Sequence, residues 1–224
     1  MPLRDSGAMI DEIQTLQATQ PSIVHTLQTT RLLLRPLSLD DVDAYYAVYG
    51  DARTWEHLPS GRHQSRDESV RAVQASIDSR RVYGFAHCAV LLREPLGDLP
   101  AGVFLGSAGA KMLDFDAWNL GYRFAPEAWG HGFATEAATV ALAAAQTTRP
   151  DTPVTARVLG DNAGSIRVLE RIGLELQWRG RSAHRDGGAD AHTSTAGGTT
   201  HLERVIYADR GLDDETLDAV IALG

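Results

Sequence analysis

Residues 122–137 read Tyr-Arg-Phe-Ala-Pro-Glu-Ala-Trp-Gly-His-Gly-Phe-Ala-Thr-Glu-Ala, which predicts an extended segment, a proline turn and a Gly-X-Gly loop that opens onto a helix. The first amides of a helix point outward unpaired, and the aligned peptide dipoles place a charge of about +0.5 there. Gly130 and Gly132 let a ligand approach the main chain without a Cβ in the way. The pattern predicts a phosphate site built from backbone N–H groups, although a tight turn before a core helix would look the same.

Two common nucleotide motifs are excluded at this loop. No Lys-Ser/Thr pair follows the second glycine, as a P-loop requires. The spacing also differs from the Gly-X-Gly-X-X-Gly of dinucleotide-binding folds. The loop is therefore typical of neither an NTPase nor a dinucleotide-binding enzyme.

A second motif follows further along the chain. Residues 158–174 read Val-Leu-Gly-Asp-Asn-Ala-Gly-Ser-Ile-Arg-Val-Leu-Glu-Arg-Ile-Gly-Leu, which predicts a strand end and a short helix closed by Gly173. Together the two motifs resemble the GNAT superfamily of acyl-CoA N-acyltransferases, in particular the subgroup of ribosomal-protein N-terminal acetyltransferases. That subgroup carries Trp-Gly-X-Gly-aromatic-Ala-Thr-Glu-Ala and a later Asn-X-X-Ser helix start. The resemblance extends from about Thr30 to Asp209.

The rest of the chain predicts a succession of strands and helices around these motifs. Strands are predicted at residues 31–36, 85–93, 103–112, 118–124, 153–159, 174–182 and 201–208. Helices are predicted at residues 38–49 and 65–81, from residue 133 onward, and at 162–172. This order predicts an α+β domain with a mixed, mostly antiparallel twisted sheet of six to seven strands and helices on both faces. The resemblance implies the same fold.

Composition suggests how the chain is divided. Residues 1–25 are predicted to be an N-terminal appendage, residues 26–210 the acyltransferase domain, and residues 211–224 a helical tail. Within the domain, residues 182–200 are rich in Gly, Ser, Thr, Ala and Asp, which predicts a mobile hairpin loop. The 224 residues suffice for one domain with a sizeable core.

Charge and cysteine content restrict the class of protein. The net charge of −8 argues against a protein that binds nucleic-acid phosphates, and it suits either a cationic acceptor or simple solubility. Cys88 is the single cysteine, which excludes an internal disulfide, and its apolar neighbours predict a buried structural thiol. The chain shows neither a signal-peptide pattern nor an apolar run of about 18 residues, which predicts a cytoplasmic protein that does not bind membranes.

The resemblance implies that acetyl-CoA is the acyl donor and that no metal is needed. In the family, the diphosphate lies on loop amides, which correspond here to Trp129, Gly130, His131, Gly132, Phe133 and Ala134. The pantetheine pairs with the preceding strand, which must part from its neighbour there; the corresponding residues are Arg123, Phe124 and Ala125. Asn162 is predicted to cap its helix, and by resemblance it also contacts the donor.

The chain departs from the family pattern at one loop position. The first residue of the family's Arg/Gln-X-X-Gly-X-Gly signature is Glu127 here. A carboxylate cannot donate a hydrogen bond to phosphate and repels it, so we expect weaker charge assistance. Because the Trp-Gly subgroup often has other residues at this position, donor binding itself is still expected.

Three residues are predicted to take part in catalysis. Ser165 lies three residues after Asn162 and is either a helix-start hydrogen-bonding group or, by resemblance, the proton donor to the leaving thiolate. Tyr122 begins the stretch, up to Phe124, whose backbone amides are expected to polarise the thioester carbonyl. Asn119 stands where the subgroup often carries a Glu base; an amide accepts no proton at neutral pH, although it can hold a water or orient the acceptor.

The sequence does not identify the general base. An α-amine with a pKa of about 8 is roughly 10% neutral at pH 7, so it can react without a dedicated base, whereas a lysine-like amine is neutral in less than ~0.1% of molecules. A missing base lowers the rate by about 10²–10⁴. Four residues could replace it, although a solvated or structural role explains each at least as well: Glu56, His87, Asp114 and Asp116.

The acceptor site is predicted after the first helix. Residues 55–57, Trp-Glu-His, offer an aromatic ring and a carboxylate to an ammonium group, or they form an ordinary loop with a packed Trp. No metal site is predicted, because short ligand spacing and companion cysteines are lacking at the histidines near the hairpin, His184, His192 and His201.

The sequence thus predicts an N-acetyltransferase that moves an acetyl group from acetyl-CoA directly to a primary amine. The amine belongs to a protein N-terminus or to a small molecule, and the sequence does not choose between them. The alternative is a non-catalytic acyl-CoA-binding sensor, which Asn119 and Glu127 keep open. The extra terminal helices leave a homodimer possible.

Overall fold

The structure is a computed structural model that describes residues 26–184 and 200–224. The strands are β1 (Leu27–Gln28), β2 (Leu32–Pro36), β3 (Cys88–Leu92), β4 (Phe104–Met112), β5 (Trp118–Phe124), β6 (Val154–Leu159), β7 (Glu175–His184) and β8 (Thr200–Ala208). They form one sheet in the spatial order β1-β2-β3-β4-β5-β6-β8-β7. Neighbouring strands are antiparallel except β5 and β6, which run parallel.

Helices cover both sides of the sheet. Those in the described residues are α1 (Val42–Tyr49), α2 (Arg66–Tyr83), α3 (Phe133–Thr148), α4 (Ala163–Arg171) and α5 (Asp214–Ala222). Short 3₁₀ turns lie at Leu39–Asp41, Ala52–Trp55, Pro59–Gly61 and Pro126–Ala128. Within the part of the chain that the structure describes, no helix is both long enough and apolar enough to cross a bilayer.

The predicted α+β architecture is confirmed, with one strand more than expected. The additional strand, β1, has only two residues, so it shows no alternation that a sequence pattern could reveal. The second predicted strand, at residues 85–93, is shorter than expected, because Phe85, Ala86 and His87 precede β3 as irregular chain. The first helix begins as a 3₁₀ turn at Leu39–Asp41. The N-terminal appendage and residues 185–199 of the predicted mobile loop lie outside the described residues, and the domain boundaries stay a prediction.

The sheet has two faces with separate cores. On the front face, Leu120 and Phe124 of β5 pack in a cluster with Ala137 and Ala141 of α3. On the back face, Ala89 of β3 packs in a second cluster that includes residues of α1 and α2. Because side chains alternate along a strand, Asn119, Gly121 and Arg123 of β5 belong to the back face.

The front face is close-packed because α3 is rich in small residues. Ala137, Ala138, Ala141 and Ala145 are each fully buried, and alanine also has the highest intrinsic helix propensity. The helix can therefore lie close to β4 and β5. Its first residue, Phe133, is buried as well, which fixes the helix start beside the end of β5.

The parallel pair β5–β6 is short and opens a gap in the sheet. Only Trp118 with Val154 and Asn119 with Thr155 are paired, so the strands separate beyond Asn119. The separation was predicted for pantetheine binding. On its other side, β5 stays paired with β4 along its whole length, so one edge of β5 faces the gap.

Candidate active site

A cavity of about 220 Å³ occupies the gap between β5 and β6. Front-face residues in its wall include Tyr122, Asn162 and Ser165. Back-face residues in its wall include Arg123 and Arg157. The cavity therefore borders both faces of the sheet at the place where the strands part.

The glycine loop, which follows β5 in the chain, presents a row of free amides. Gly130 and Gly132 have φ values of +79° and +77°, which non-glycine residues adopt only with strain. Within the described residues, the amides of residues 130–135 donate to no protein acceptor; the first to bond back is that of Glu136, to the carbonyl of Gly132 at 3.1 Å. An added Cβ at Gly130 would meet no atom within 4 Å. The loop is thus open and equipped for an anion.

A network braces this loop from the edge of the sheet. Glu136 accepts hydrogen bonds from the hydroxyl of Thr29 at 2.5 Å and from the backbone amide of Arg31 at 3.0 Å. The Arg31 guanidinium pairs with the same carboxylate at 2.6 Å and donates to the carbonyl of His131 at 2.9 Å. It also lies 4.8 Å from the ring centroid of Phe133. The network fixes the loop relative to β2.

The start of α4 is fixed by the predicted cap. The Asn162 Oδ1 accepts from the backbone amide of Ser165 at 3.0 Å. The Tyr122 hydroxyl donates to the Ser165 carbonyl at 3.2 Å, and burial raises the pKa of Tyr122 to about 12, so it is protonated at neutral pH. The structure therefore brings Tyr122, Asn162 and Ser165 together at one wall of the cavity.

Asn119 lies at the apex of the gap. It lines the cavity, and its buried Oδ1 has no hydrogen-bond partner among the described residues. A buried amide oxygen without a partner is unfavourable by about 1–3 kcal/mol. A ligand N–H or a bound water would satisfy it, which agrees with the predicted orienting role.

His87 lies on the back face beside this point. A Cβ added to Gly121 would be 3.3 Å from His87 Cε1 and 3.5 Å from its Nε2, and one added to Gly109 would collide with the main chain of His87. The two glycines therefore make room for the imidazole. Burial, assisted by the charge of Lys111, lowers the pKa of His87 to about 4, so the ring is neutral at pH 7.

None of the four candidate bases belongs to the cavity wall. Asp114 and Asp116 belong to the turn between β4 and β5, where Asp116 pairs with Arg149 at 2.8 Å. Glu56 is exposed after the 3₁₀ turn that ends at Trp55, between two residues of the wall. The ring of His87 reaches the wall at Gly121.

Trp55, the aromatic residue predicted to bind an ammonium group, already contacts the guanidinium of Arg123. The Arg123 guanidinium lies 3.3 Å from the ring centroid of Trp55 and 5.7 Å from that of Tyr49, and it donates to the carbonyl of Thr54. Trp55 also donates its indole N–H to the carbonyl of Tyr49 at 2.7 Å. The expectation that Trp55 binds an acceptor ammonium is therefore wrong for the ring face that Arg123 covers.

Glu127 turns toward the acceptor side. Its carboxylate accepts from Arg53 at 3.1 Å, and Arg53 also pairs with Asp51 at 2.6 Å. All these groups are on the surface, so the bridge contributes little to stability. The pairing nevertheless offsets the repulsion of phosphate that the sequence predicted for Glu127.

Other predicted residues have structural roles. Cys88 is buried, and burial raises the pKa of its thiol to about 12, as expected for a structural thiol. Trp129 is half exposed and donates its indole N–H to the carbonyl of Phe124 at 2.9 Å, which ties the loop to the end of β5. In the described part of the chain, no three His, Cys, Asp or Glu side chains form a group that would suit a metal.

Sequence reasoning missed four residues of the site. Arg31 and Glu136 brace the loop, and Arg157 and Arg204 line the cavity. Glu136 lies within the quoted loop motif, so its position in the first turn of a helix was available as a signal. Arg31 lies just before β2, and Arg157 and Arg204 lie on strands far from it in sequence, so nothing in a local pattern indicates that the three arginines approach the site.

Comparison with known proteins identifies the family. Residues 31–175 match the family model described as an acetyltransferase (GNAT) domain. The Bacillus subtilis (strain 168) protein YkkB is 35% identical over 80 residues, which span 34% of this chain and 46% of YkkB. The match thus extends over about half of that relative's length.

Solved structures share the fold. The GNAT-family acetyltransferase from Bacillus anthracis has 19% identity and a TM-score of 0.61, covering 82% of this chain and 96% of the other. An acetyltransferase from Salmonella typhimurium that modifies the N-terminal serine of ribosomal protein L7/L12 has 19% identity and a TM-score of 0.59, with coverages of 83% and 97%. At such identities the likeness concerns the fold. Because the family model covers more than half of the sequence, the chain belongs to the GNAT family of acetyltransferases, and the resemblance is confirmed.

Proposed function

We propose that this member of the GNAT acetyltransferase family transfers an acetyl group from acetyl-CoA directly to a primary amine. The observation that carries the proposal is the cavity between β5 and β6, whose wall includes Ser165 on the front face and Arg123 on the back face. A donor held at the front and an acceptor held at the back would meet in the gap. Holding two reactants in this way replaces a bimolecular encounter by an oriented one, which accounts for much of the rate in group transfer.

The chain's own groups fit acetyl-CoA. The free amides at residues 130–135 match the oxygen atoms of a diphosphate, and the N-terminus of α3 adds favourable charge. Beyond Asn119, no strand covers the β6 side of β5, so its polar groups are available to pantetheine amides. We assign donor binding to Asn162 and to the main chain at residues 123–125 and 129–134.

In the proposed reaction, one C–N bond forms and one C–S bond breaks. Backbone amides of β5 between Tyr122 and Phe124 stabilise the negative charge that develops on the carbonyl oxygen. Ser165 gives its hydroxyl proton to the departing thiolate, and the proton lost by the amine restores the hydroxyl through solvent. The hydrogen bond from Tyr122 keeps the Ser165 backbone in place.

His87 has the best position of the four possible bases. Its ring lies against Gly121, which lines the cavity, and it is neutral at pH 7. Because its pKa is about 4, it can accept a proton only transiently, from the acidic ammonium that forms when a neutral amine has attacked the thioester. We propose that His87 takes the proton from the attacking amine. It would replace the Glu base that the subgroup often carries at the position of Asn119. Asn119 would orient the amine or a water through its unpartnered oxygen.

The competing function is a non-catalytic acyl-CoA-binding module, which the amide at Asn119 favours. Isothermal titration with acetyl-CoA, combined with a free-thiol release assay on a panel of primary amines, distinguishes the two. The enzyme is expected to bind acetyl-CoA and to release thiol only when an amine is present. In Ser165→Ala, kcat should fall about 100-fold or more while the KM for acetyl-CoA stays constant. Tight binding without amine-dependent thiol release would support the module, and absence of binding would contradict both functions.

A further inference from the structure

The back-face part of the cavity is rich in cationic side chains. Arg123, Arg157 and Arg204 all line the cavity, together with His57. No Asp or Glu belongs to the cavity wall as far as the structure describes it. The whole chain is acidic, with a net charge of −8, so composition does not explain this local excess. A cleft with buried charges of one sign attracts a ligand of the opposite sign.

Arg123 is the central member of this group. Burial lowers the pKa of its guanidinium, and its hydrogen bond goes to the main-chain carbonyl of Thr54. Among the described residues, no carboxylate pairs with it. An arginine usually donates as a planar fork with five N–H groups. Most of those donors are therefore left for a ligand in the cavity.

Aromatic stacking fixes the direction of this fork. The guanidinium of Arg123 is held against Trp55 at 3.3 Å and is anchored at Thr54. A fork that is already ordered loses little side-chain entropy when it binds a carboxylate or a phosphate. The arrangement is therefore a preformed anion receptor.

The other two arginines add positive charge to the same wall. Arg157 donates to the main-chain oxygen of Gly224 at 2.6 Å, and burial together with the charge of Arg204 lowers its pKa to about 10. Arg204 itself is buried, with 7% of its surface exposed. Both guanidinium groups belong to the cavity wall together with Arg123.

Two acidic groups on neighbouring turns lie on the surface. Asp161 is 3.8 Å from His57 and is largely exposed, and Glu127 pairs with Arg53 on the surface. Neither carboxylate lines the cavity. The amine of an acceptor therefore meets no carboxylate in the cavity wall, whereas an anionic group on the same molecule meets Arg123.

We propose that the acceptor is a small primary amine that also carries a carboxylate or phosphate group, and that Arg123, assisted by Arg157 and Arg204, binds that group. The proposal rests on the acetyl-transfer function proposed above. The cavity volume of about 220 Å³ favours a small molecule. The amine would then lie toward Asn119 and the gap, and the anion toward the arginines.

The test is an acetylation assay with matched pairs of amines. Each anionic amine is compared with its neutral counterpart: an amino acid with its primary amide, and phosphoethanolamine with ethanolamine. The anionic member is expected to have a kcat/KM at least 10-fold higher. In Arg123→Gln, its KM should rise about 10- to 100-fold, because a charged hydrogen bond is lost, while the neutral amine changes little.

Controls test whether Arg123→Gln acts on acceptor binding or on donor binding and folding. Arg66→Gln removes an exposed arginine outside the cavity wall and should leave the preference unchanged. Arg157→Gln provides a second cavity variant in case Arg123→Gln folds poorly. If the affinity for acetyl-CoA falls in step with the KM of the anionic amine, the anion belongs to the donor and the proposal is wrong.

Failure of the proposal can be told from failure of the proposed function. Equal turnover of anionic and neutral amines would overturn the anionic acceptor and leave the acetyltransferase intact. If no amine is acetylated, titration of the CoA-saturated protein with the same pairs of amines tests whether the cavity still binds the anionic member. Binding of the anionic member that is lost in Arg123→Gln supports the receptor, and absence of such binding refutes it.

Discussion

Arg31 and Glu136 join the edge of the sheet to the phosphate loop, with the guanidinium Nη2 2.6 Å from the carboxylate. The two residues are 105 positions apart, and the same arginine donates to the carbonyl of His131 within the loop. The loop amides are therefore held in place by a contact outside the loop. Preorganised donors bind an anion better than donors that must first be ordered.

Glu136→Gln should weaken both the fold and donor binding. The variant loses charged hydrogen bonds that are partly solvent-screened, so we expect a loss of about 1–2 kcal/mol in the free energy of unfolding and a Tm lower by about 2–8 °C. Scanning calorimetry measures the loss of stability, and titration with acetyl-CoA measures the loss of affinity for the donor. Glu94→Gln, at an exposed turn, is the control. Unchanged affinity for acetyl-CoA would show that the brace does not act on the loop.

Gly132→Ala should reduce the affinity for acetyl-CoA about 10-fold or more. The residue has φ +77°, so alanine is strained by about 1–2 kcal/mol and would shift the loop, and the new Cβ would lie 3.7 Å from Arg31 Nη2 of the brace. Gly97→Ala is a matched control, because Gly97 also has a positive φ, +57°, and an open surrounding. Titration should find normal affinity in the control. Equal affinities in both variants would mean that the loop is not the phosphate site.

Asn162→Ala should raise the KM for acetyl-CoA and lower stability by about 1 kcal/mol. The substitution removes the cap on the Ser165 amide and leaves α4 less firmly placed at the cavity. Asp213→Ala removes an equivalent cap, on the Thr216 amide of α5, away from the cavity wall. Steady-state kinetics should show a raised KM for acetyl-CoA in Asn162→Ala and a normal KM in Asp213→Ala. A normal KM in Asn162→Ala would limit Asn162 to its capping role.

His87→Gln should lower kcat about 100-fold for weakly and strongly basic amines alike, because a ring with a pKa of about 4 assists only after the neutral amine has attacked. Its own titration should not appear between pH 5 and 8. The rate in that range should rise with pH as the amine loses its proton to solvent. Cys88→Ala, at the next position, is the packing control. An equal loss of kcat in both variants would indicate that His87 only supports the structure.

Stability should decrease in acid partly through Asp209. Burial alone would raise the pKa of its carboxyl, but hydrogen bonds from Arg210, Gln146 and the Val154 amide hold it below the usual value. The unfolded state therefore binds the proton more tightly, so this contribution is present above about pH 5 and is lost as the pH falls below about 4. Chemical denaturation from pH 7 to pH 2.5 should show a weaker acid dependence in Asp209→Asn. An identical slope would contradict the assignment.

The glycine turn before α3 and the cap of α4 could be predicted because each depends on neighbouring residues. The Asn162 side chain reaches the Ser165 amide within one turn, and Gly132 ends the loop with its own φ. The stacking of Arg123 on Trp55 could not be predicted in this way, because it joins residues 68 positions apart. The expectation that Trp55 binds an ammonium group failed for the ring face that Arg123 covers. Arg123 belongs to β5, which the sequence around Trp55 does not indicate as a neighbour.

The sequence by itself determined the glycine loop and the cap of α4 that we propose for donor binding, since both depend on local backbone geometry. Tertiary structure decided the cavity that we propose for the acceptor. Strand register places His87 over Gly121, and the separation of β5 from β6 brings Arg123 and Arg157 to one cavity. The effect of these charged groups depends on the distances between them and on their burial, and folding of the chain sets both.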